Sequence, residues 1–120
     1  MTRKMIAAVA SAAVAVALTA GGTATAAPKT VVGKVGPGQT IGLTIGGKKV
    51  KKLKAGTYRF VISDMSEDHD FRIVGPRTSK VLTGVAFTGK KTVALSLKKG
   101  QYRFFCAPHA DDMHGGFTVA

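Results

Sequence analysis

From Thr30 onward, the sequence is a succession of short β-prone runs separated by turn residues. Runs rich in Val, Ile, Thr, Tyr and Phe predict strands at residues 30–34, 40–45, 57–63, 71–74, 80–87, 92–97, 102–106 and 117–119. Glycine and proline recur between these runs, as in the Gly36-Pro37-Gly38 step, and both residues favour turns. No helical pattern of useful length follows residue 30. Short strands with regular turns favour a sandwich or a barrel.

Alternation within the predicted strands separates a buried face from an exposed one. In two of them the large apolar residues fall on every second position: Tyr58, Phe60 and Ile62 in one, and Val93, Leu95 and Leu97 in the other. Successive side chains of a strand point to opposite faces, so each of these sets lies on one side. Two sheets that close such faces against each other hide the apolar area of a short chain. We therefore predict an all-β sandwich, formed as a single domain over residues 27–120.

The first 26 residues have the layout of a secretory signal peptide. A basic start (Arg3, Lys4) precedes an apolar run over residues 5–20, and the small-residue motif Ala24-Thr25-Ala26 ends the segment. The apolar run gives way to Gly21-Gly22, whereas a membrane anchor would need a longer run and a charged stop. We expect cleavage after residue 26 and an exported domain that is periplasmic, extracellular or associated with the cell envelope. We expect no integral membrane segment after cleavage.

The predicted mature domain is strongly basic. The chain has 18 basic and six acidic residues, and removing Arg3 and Lys4 leaves 16 against six, a formal charge of +10. In an exported chain this charge favours anionic envelope or acidic protein surfaces over nucleic acid. Lysine clusters are more often solvated loops than binding surfaces. All six acids fall in residues 64–70 and 111–112, beside the histidines, so we expect an acidic end if the fold joins these segments.

Residues 104–117, FFCAPHADDMHGGF, contain the only cysteine, two of the three histidines and one of the four methionines. An odd cysteine in an exported protein is paired between chains, free, or a metal ligand. Cys106 is followed by His109 and Met113, and a thiolate, an imidazole and a thioether together suit copper above the other common metals. His69, in the other acidic segment, would supply a second imidazole. The alternatives are a Cys106 nucleophile with His109 as its base, and an inert thiol.

Two segments of the chain together resemble the cupredoxins, the plastocyanin and azurin type of blue copper protein. They are HDFRIVGP at residues 69–76 and YRFFCAPHADDMHGGFTV at residues 102–119. The resemblance implies a Greek-key β-sandwich and one copper ion that cycles between the cuprous and cupric states. It also implies that His69 comes from one loop, and that Cys106, His109 and Met113 come from another.

The sequence departs from the family beside two of these ligands. Family members usually have asparagine after the first histidine, and its side chain ties that loop to a hydroxyl residue beyond the cysteine. Here Asp70 follows His69 and Ala107 follows Cys106. We therefore expect this tie between the two ligand loops to be missing.

The resemblance implies one-electron transfer outside the cytoplasm by a type 1 copper site, and not an enzyme activity. It implies transient docking of a redox partner protein at the surface around His109, where Ala107, Pro108 and Ala110 would form an apolar patch. Charge would govern such brief docking. Two other classes remain open: copper storage, delivery or tolerance without a redox partner, and a secreted module that contacts anionic envelope polymers through its lysines. We expect a monomer that binds no nucleic acid.

Overall fold

The structure, a computed structural model, describes residues 27–120, and the predicted signal peptide lies outside the described residues. Ten strands and one short 3-10 helix form there. They are β1 (Lys29–Val35), β2 (Ile41–Ile45), β3 (Lys48–Lys49), β4 (Lys52–Leu53), β5 (Gly56–Asp64), β6 (Phe71–Gly75), β7 (Thr78–Thr83), β8 (Gly89–Leu97), β9 (Gly100–Phe105), the 3-10 helix (Ala107–His109) and β10 (His114–Val119). Among residues 27–120, no helix has the length and hydrophobicity needed to cross a membrane.

The strands form two five-stranded sheets. The first sheet has the order β3-β2-β1-β5-β8 and the second has the order β4-β10-β9-β6-β7. Both are mixed, because β1 runs parallel to β5 and β10 runs parallel to β4, while the other pairs are antiparallel. Consecutive strands such as β5 and β6 lie in different sheets, as in a Greek-key sandwich. The all-β sandwich predicted from the sequence is confirmed.

The inward faces of both sheets form the hydrophobic core. In β5 the predicted alternation holds, since Tyr58, Phe60 and Ile62 are all buried and their neighbours Arg59 and Val61 are more exposed. In β8 the same pattern buries two apolar residues and leaves a third partly buried against the core. Burying a large apolar side chain contributes about 1.5–3 kcal/mol relative to leaving it exposed. Burial of these inward faces therefore stabilises the sandwich.

Aromatic rings dominate the contribution of the second sheet to the core. The rings of Phe71 and Phe104 stack with centroids 5.7 Å apart, and those of Tyr102 and Phe117 stack at 5.2 Å. Gly75 lies directly against the ring of Tyr102, and a β-carbon at this position would overlap the ring. The close approach of β6 to the Tyr102 ring therefore requires glycine.

The structure differs from the sequence prediction in the lysine-rich segment 48–54. We predicted solvated loops there, and the lysines are indeed exposed, but Val50 and Leu53 are buried. Leu53 pairs with Val119, so β4 forms an edge of the second sheet beside β10. Single apolar residues among lysines give no periodic signal, and tertiary packing creates these two short strands.

Several strand boundaries also differ, among them the end of β7 and the start of β10. β7 ends at Thr83 and not at residue 87, because the chain turns at Gly84, whose carbonyl accepts a hydrogen bond from the Phe87 N–H at 3.1 Å. β10 begins at His114 and not at residue 117, because its two glycines pair with β9. Glycine pairs predict turns from local preference, but the ladder with β9 overrides that preference here.

Candidate metal centre

The predicted ligands lie on two loops at one end of the sandwich. His69 stands shortly before β6, and Cys106 directly follows β9. β6 and β9 are antiparallel neighbours in which Arg72 pairs with Phe105, so the start of β6 lies beside the end of β9. His109 ends the 3-10 helix that follows, and Met113 directly precedes β10. Strand pairing thus brings together residues that are far apart in sequence.

The donor atoms of three of these residues form a compact triangle. Nδ1 of His69 lies 3.2 Å from Nδ1 of His109, and Sγ of Cys106 lies 3.7 and 3.8 Å from these two nitrogens. Bonds of about 2.0–2.1 Å to imidazole and about 2.3 Å to thiolate, the values for zinc, separate the donors of a trigonal set by about 3.6 Å (N to N) and about 3.8 Å (N to S). The side chains therefore stand at the spacing of a single coordination sphere.

Burial of the site is uneven. Cys106 and Met113 are completely buried, His69 is 5% exposed, and His109 is only partly buried. Cys106 forms no disulfide, and its sulfur faces the two imidazoles. The Cys106 sulfur is therefore screened from water, whereas His109 connects the site with the surface.

The loop that carries three of the predicted ligands is held by its own backbone. The Cys106 N–H donates to the Met113 carbonyl at 3.0 Å, and the Met113 N–H donates to the His109 carbonyl at 2.8 Å. The His109 N–H donates in turn to the Cys106 carbonyl at 3.1 Å. Pro108 lies within the 3-10 helix, where its fixed φ suits the first turn. These bonds fix the relative positions of the three residues.

Asp70 does tie the two ligand loops together, but through a backbone amide and not through the hydroxyl side chain whose absence at Ala107 was expected. Its Oδ1 accepts a hydrogen bond from the Ala107 backbone N–H at 2.7 Å, and its Oδ2 accepts one from Arg72 Nε at 2.7 Å. The carboxylate is fully buried. Any residue except proline at position 107 could keep this tie, because the donor is a backbone amide.

Sequence analysis missed Arg72 as part of the site. Asp70 and Arg72 are two residues apart at the start of a strand, and this spacing puts both side chains on one face. The Asp-x-Arg spacing beside a predicted ligand was therefore the available signal. In the structure the two residues form an ion pair, in which Arg72 bonds to the carboxylate oxygen of Asp70 that does not bond to Ala107.

The acidic end is smaller than the sequence suggested. Asp64 and Asp70 are 1% and 0% exposed, so neither adds to the solvent-facing charge. Oδ1 of Asp64 accepts a hydrogen bond from the Ser66 N–H at 3.2 Å. Four acids remain exposed, on the two loops that meet at His69 and His109: Glu67, Asp68, Asp111 and Asp112. We call these four residues the acidic rim.

Comparison with known proteins gives no match to a family model and no relative among curated sequences. Solved structures do match. One described as the copper protein rusticyanin is 18% identical, with a TM-score of 0.55 over 78% of this chain and 80% of that one. Rusticyanin from Thiobacillus ferrooxidans is 19% identical, with a TM-score of 0.52 over 78% and 79%. A reduced amicyanin variant is 15% identical, with a TM-score of 0.50 over 79% and 86%.

The chain has the cupredoxin fold. The resemblance inferred from residues 69–76 and 102–119 is thus confirmed at the level of the fold. Within this cupredoxin fold, His69, Cys106, His109 and Met113 form a candidate copper site, since one soft thiolate and two imidazoles suit copper. The roles of the individual residues as ligands remain predictions.

Proposed function

We propose that this chain is an exported, mononuclear type 1 copper protein that transfers single electrons. The observation that carries the proposal is the triangle of His69 Nδ1, His109 Nδ1 and Cys106 Sγ, with no pair of these atoms more than 3.8 Å apart. The names of the similar structures support copper over other metals, because rusticyanin is described as a copper protein. The secretory layout of residues 1–26 supports export.

In this proposal, Cys106 and the two histidines would hold the metal, and Met113 would supply a further, weaker sulfur ligand. Bound copper would supply a one-electron couple that this donor set accommodates in both oxidation states. The protein's own part is to keep the ligands still. The backbone bonds of residues 106–113 and the bond from Asp70 to Ala107 hold the two loops in one arrangement. Complete burial of Cys106 and Met113 keeps water away from the soft ligands.

A redox partner would dock at the surface around His109. This side chain is the most exposed of the four predicted ligands, and Ala107 and Pro108 beside it are exposed. An apolar surface without long side chains suits brief encounters, which bury less than about 1,200 Å² in weak redox complexes. We propose that the protein acts as a monomer in such encounters and that the acidic rim orients the partner.

Nucleophilic catalysis by Cys106 fits the structure less well than ligation. The thiol is completely buried beneath its own loop, so a substrate could not reach the sulfur. The two imidazole nitrogens that face the sulfur lie 3.2 Å from each other, so the three donor atoms converge as expected for ligands of one ion. We therefore propose a carrier and not an enzyme.

The decisive experiment is addition of cupric ion to the purified domain, followed by absorption and electron paramagnetic resonance spectra. We expect one ion per chain and an intense visible band from thiolate-to-copper charge transfer. If the protein is colourless and binds only cuprous ion, its function would be copper storage or delivery and not electron transfer. A protein that binds neither ion would overturn the copper proposal.

A second proposal concerns the basic surface. A groove of about 750 Å³ lies between residues 49–51 and strands β6, β9 and β10; Lys49, Lys51 and Arg103 are among its lining residues, and no acid is. Lysines of this kind attract anionic polymers through charge. We propose that this groove contacts anionic polymers of the cell envelope and holds the exported protein near its site of action.

Binding to long-chain polyphosphate at low salt tests the groove. We expect the double variant Lys49→Gln, Lys51→Gln to bind more weakly than the control double variant Lys90→Gln, Lys91→Gln, which removes the same charge from exposed positions of β8. Equal losses in the two variants would show that net charge governs binding, and the groove proposal would be wrong.

A further inference from the structure

Asp70 is a buried carboxylate placed between the two ligand loops. Its neighbour on one side is His69, a predicted ligand. Its Oδ1 bonds to the amide of Ala107, which directly follows the predicted thiolate ligand Cys106, at 2.7 Å. Each carboxylate oxygen has one N–H donor, and no water reaches the group because its side chain is 0% exposed. A buried carboxylate that accepts two N–H donors therefore lies beside both predicted ligand loops.

Arg72 balances this charge from the solvent side. Its Nε lies 2.7 Å from Oδ2 of Asp70, while its own side chain is 42% exposed. An exposed guanidinium is screened by water and salt more than a buried carboxylate. The negative charge of Asp70 is therefore only partly offset by Arg72. Asp70 is the residue of the pair that contacts the ligand loops.

The sign of the effect on a one-electron couple follows from Coulomb's law. A nearby negative charge stabilises a doubly charged ion more than a singly charged one, and the effect is larger in a water-poor interior than at the surface. A fixed negative charge beside the site therefore favours the oxidised state. Removing that charge favours the reduced state, and removing the balancing positive charge has the opposite effect.

We propose that the pair Asp70 and Arg72 is a positioning device that also sets the reduction potential of the site. Through Oδ1, Asp70 aligns the backbone that follows Cys106. Through its charge, Asp70 lowers the potential, and Arg72 moderates that effect. The second part rests on the proposed copper function, whereas the alignment of the loops does not.

The alignment is tested first on the metal-free protein. Amide hydrogen exchange reports whether the Ala107 N–H is bonded, because a bonded amide exchanges only when the structure opens. We expect protection in the wild type and in Asp70→Asn, which keeps an oxygen acceptor, and at least about tenfold faster exchange in Asp70→Ala, since tenfold corresponds to one lost bond of about 1.4 kcal/mol. Unchanged exchange in Asp70→Ala would overturn the positioning role, whatever the protein binds.

The charge effect is tested on the copper-loaded protein by redox titration. We expect Asp70→Asn to raise the ratio of cuprous to cupric affinity at least about tenfold, which is about 59 mV for one electron. Arg72→Gln should shift the ratio in the opposite direction and by less, because its charge is partly exposed. Asp68→Asn and Lys80→Gln are matched controls that remove one exposed charge of each sign.

The outcomes separate the two proposals. Shifts of opposite sign in Asp70→Asn and Arg72→Gln that exceed those of the controls support the inference. A potential that is unchanged in Asp70→Asn, with copper still bound, overturns the electrostatic part and leaves the proposed function intact. A wild-type protein that binds no copper overturns the proposed function and the electrostatic part together, while the exchange result still decides the alignment.

Discussion

At the scale of single residues, the predicted ligands differ in how deeply they are buried. Cys106 is completely buried, so its sulfur can bind only a group that lies inside the fold. His109 is partly exposed and connects the enclosed site with the surface. His114, although it follows Met113 directly, is exposed at the start of β10 and lies outside the triangle of donors. These differences lead to two predictions.

Replacing Cys106 by serine should abolish the visible absorption band while leaving the fold in place. Serine is close in size to cysteine, but its hydroxyl would be buried without its own partner, which costs about 1–3 kcal/mol. Absorption spectra after addition of cupric ion and far-ultraviolet circular dichroism measure the two effects. In the wild type, copper should protect the thiol from alkylation. Equal alkylation rates with and without copper would contradict its role as a ligand.

Replacing His69 or His109 by alanine should weaken copper binding far more than replacing His114. Replacing a residue that only orients a ligand typically lowers metal affinity about 10–100-fold, and replacing a ligand itself should lower the affinity by more. His114→Ala is the matched control, because it removes an imidazole of the same segment that lies outside the donor triangle. Competition titration with a copper chelator gives the affinities. If His114→Ala lost as much affinity as His109→Ala, the assigned ligand set would be wrong.

At the scale of elements, the pairing of β6 with β9 creates the site. His69 stands just before β6 and Cys106 directly follows β9, and the register of Arg72 with Phe105 brings the two together. Close packing against aromatic rings supports this part of the sheet. Gly75 at the end of β6 lies against Tyr102 of β9, where a larger residue would push the two strands apart. The site therefore depends on packing well away from its ligands.

Replacing Gly75 by alanine should destabilise the domain by about 1–3 kcal/mol, the cost typical of an added methyl group in a packed region. Urea unfolding monitored by circular dichroism measures the change. Gly42→Ala is the matched control, because a β-carbon at Gly42 meets no atom within 4 Å. We expect the control to be close to neutral. Equal effects of the two substitutions would show that backbone entropy, and not contact with Tyr102, accounts for the loss.

At the scale of the whole molecule, charge is distributed unevenly. The acidic rim lies on the loops that carry the predicted ligands, whereas Lys98 and Lys99 stand before β9, at the opposite end of that strand from Cys106. The exposed acids therefore lie at one end of the molecule, while positive charge is spread along its length and reaches that end through Lys90, which pairs with Ser63. A partner that reaches the site should present a basic or neutral face, because it meets the local charge first.

Electron exchange with a small cationic complex should slow as salt is added, since surface attraction beyond about 8 Å is largely screened at physiological ionic strength. Replacing Asp111 and Asp112 by asparagine should flatten this dependence. Replacing Lys98 and Lys99 by glutamine should leave it nearly unchanged, which makes that double variant the control. Stopped-flow rates across a salt series measure both. Faster exchange with an anionic complex at low salt, unaffected by the aspartate changes, would show that net charge controls the encounter.

Local sequence patterns were enough to predict the strand content and the candidate ligands. Period-two alternation in β5 and β8 and regular turns follow from local chemistry, so the sandwich could be predicted. The segment from Cys106 to Met113 carries candidate soft ligands a few residues apart in sequence. In any fold that keeps this loop compact, these residues stay close in space. These features are local, and local preferences can be read from neighbouring residues alone.

Tertiary structure alone decided how distant segments meet. The tie from Asp70 to Ala107 uses a backbone amide as its donor, and every residue except proline has one. No sequence pattern therefore predicts this tie. The burial of Asp64, the strand β4 and the pairing of the β10 glycines all depend on partners far along the chain. Such contacts arise because strand register places residues side by side without regard to their separation in sequence.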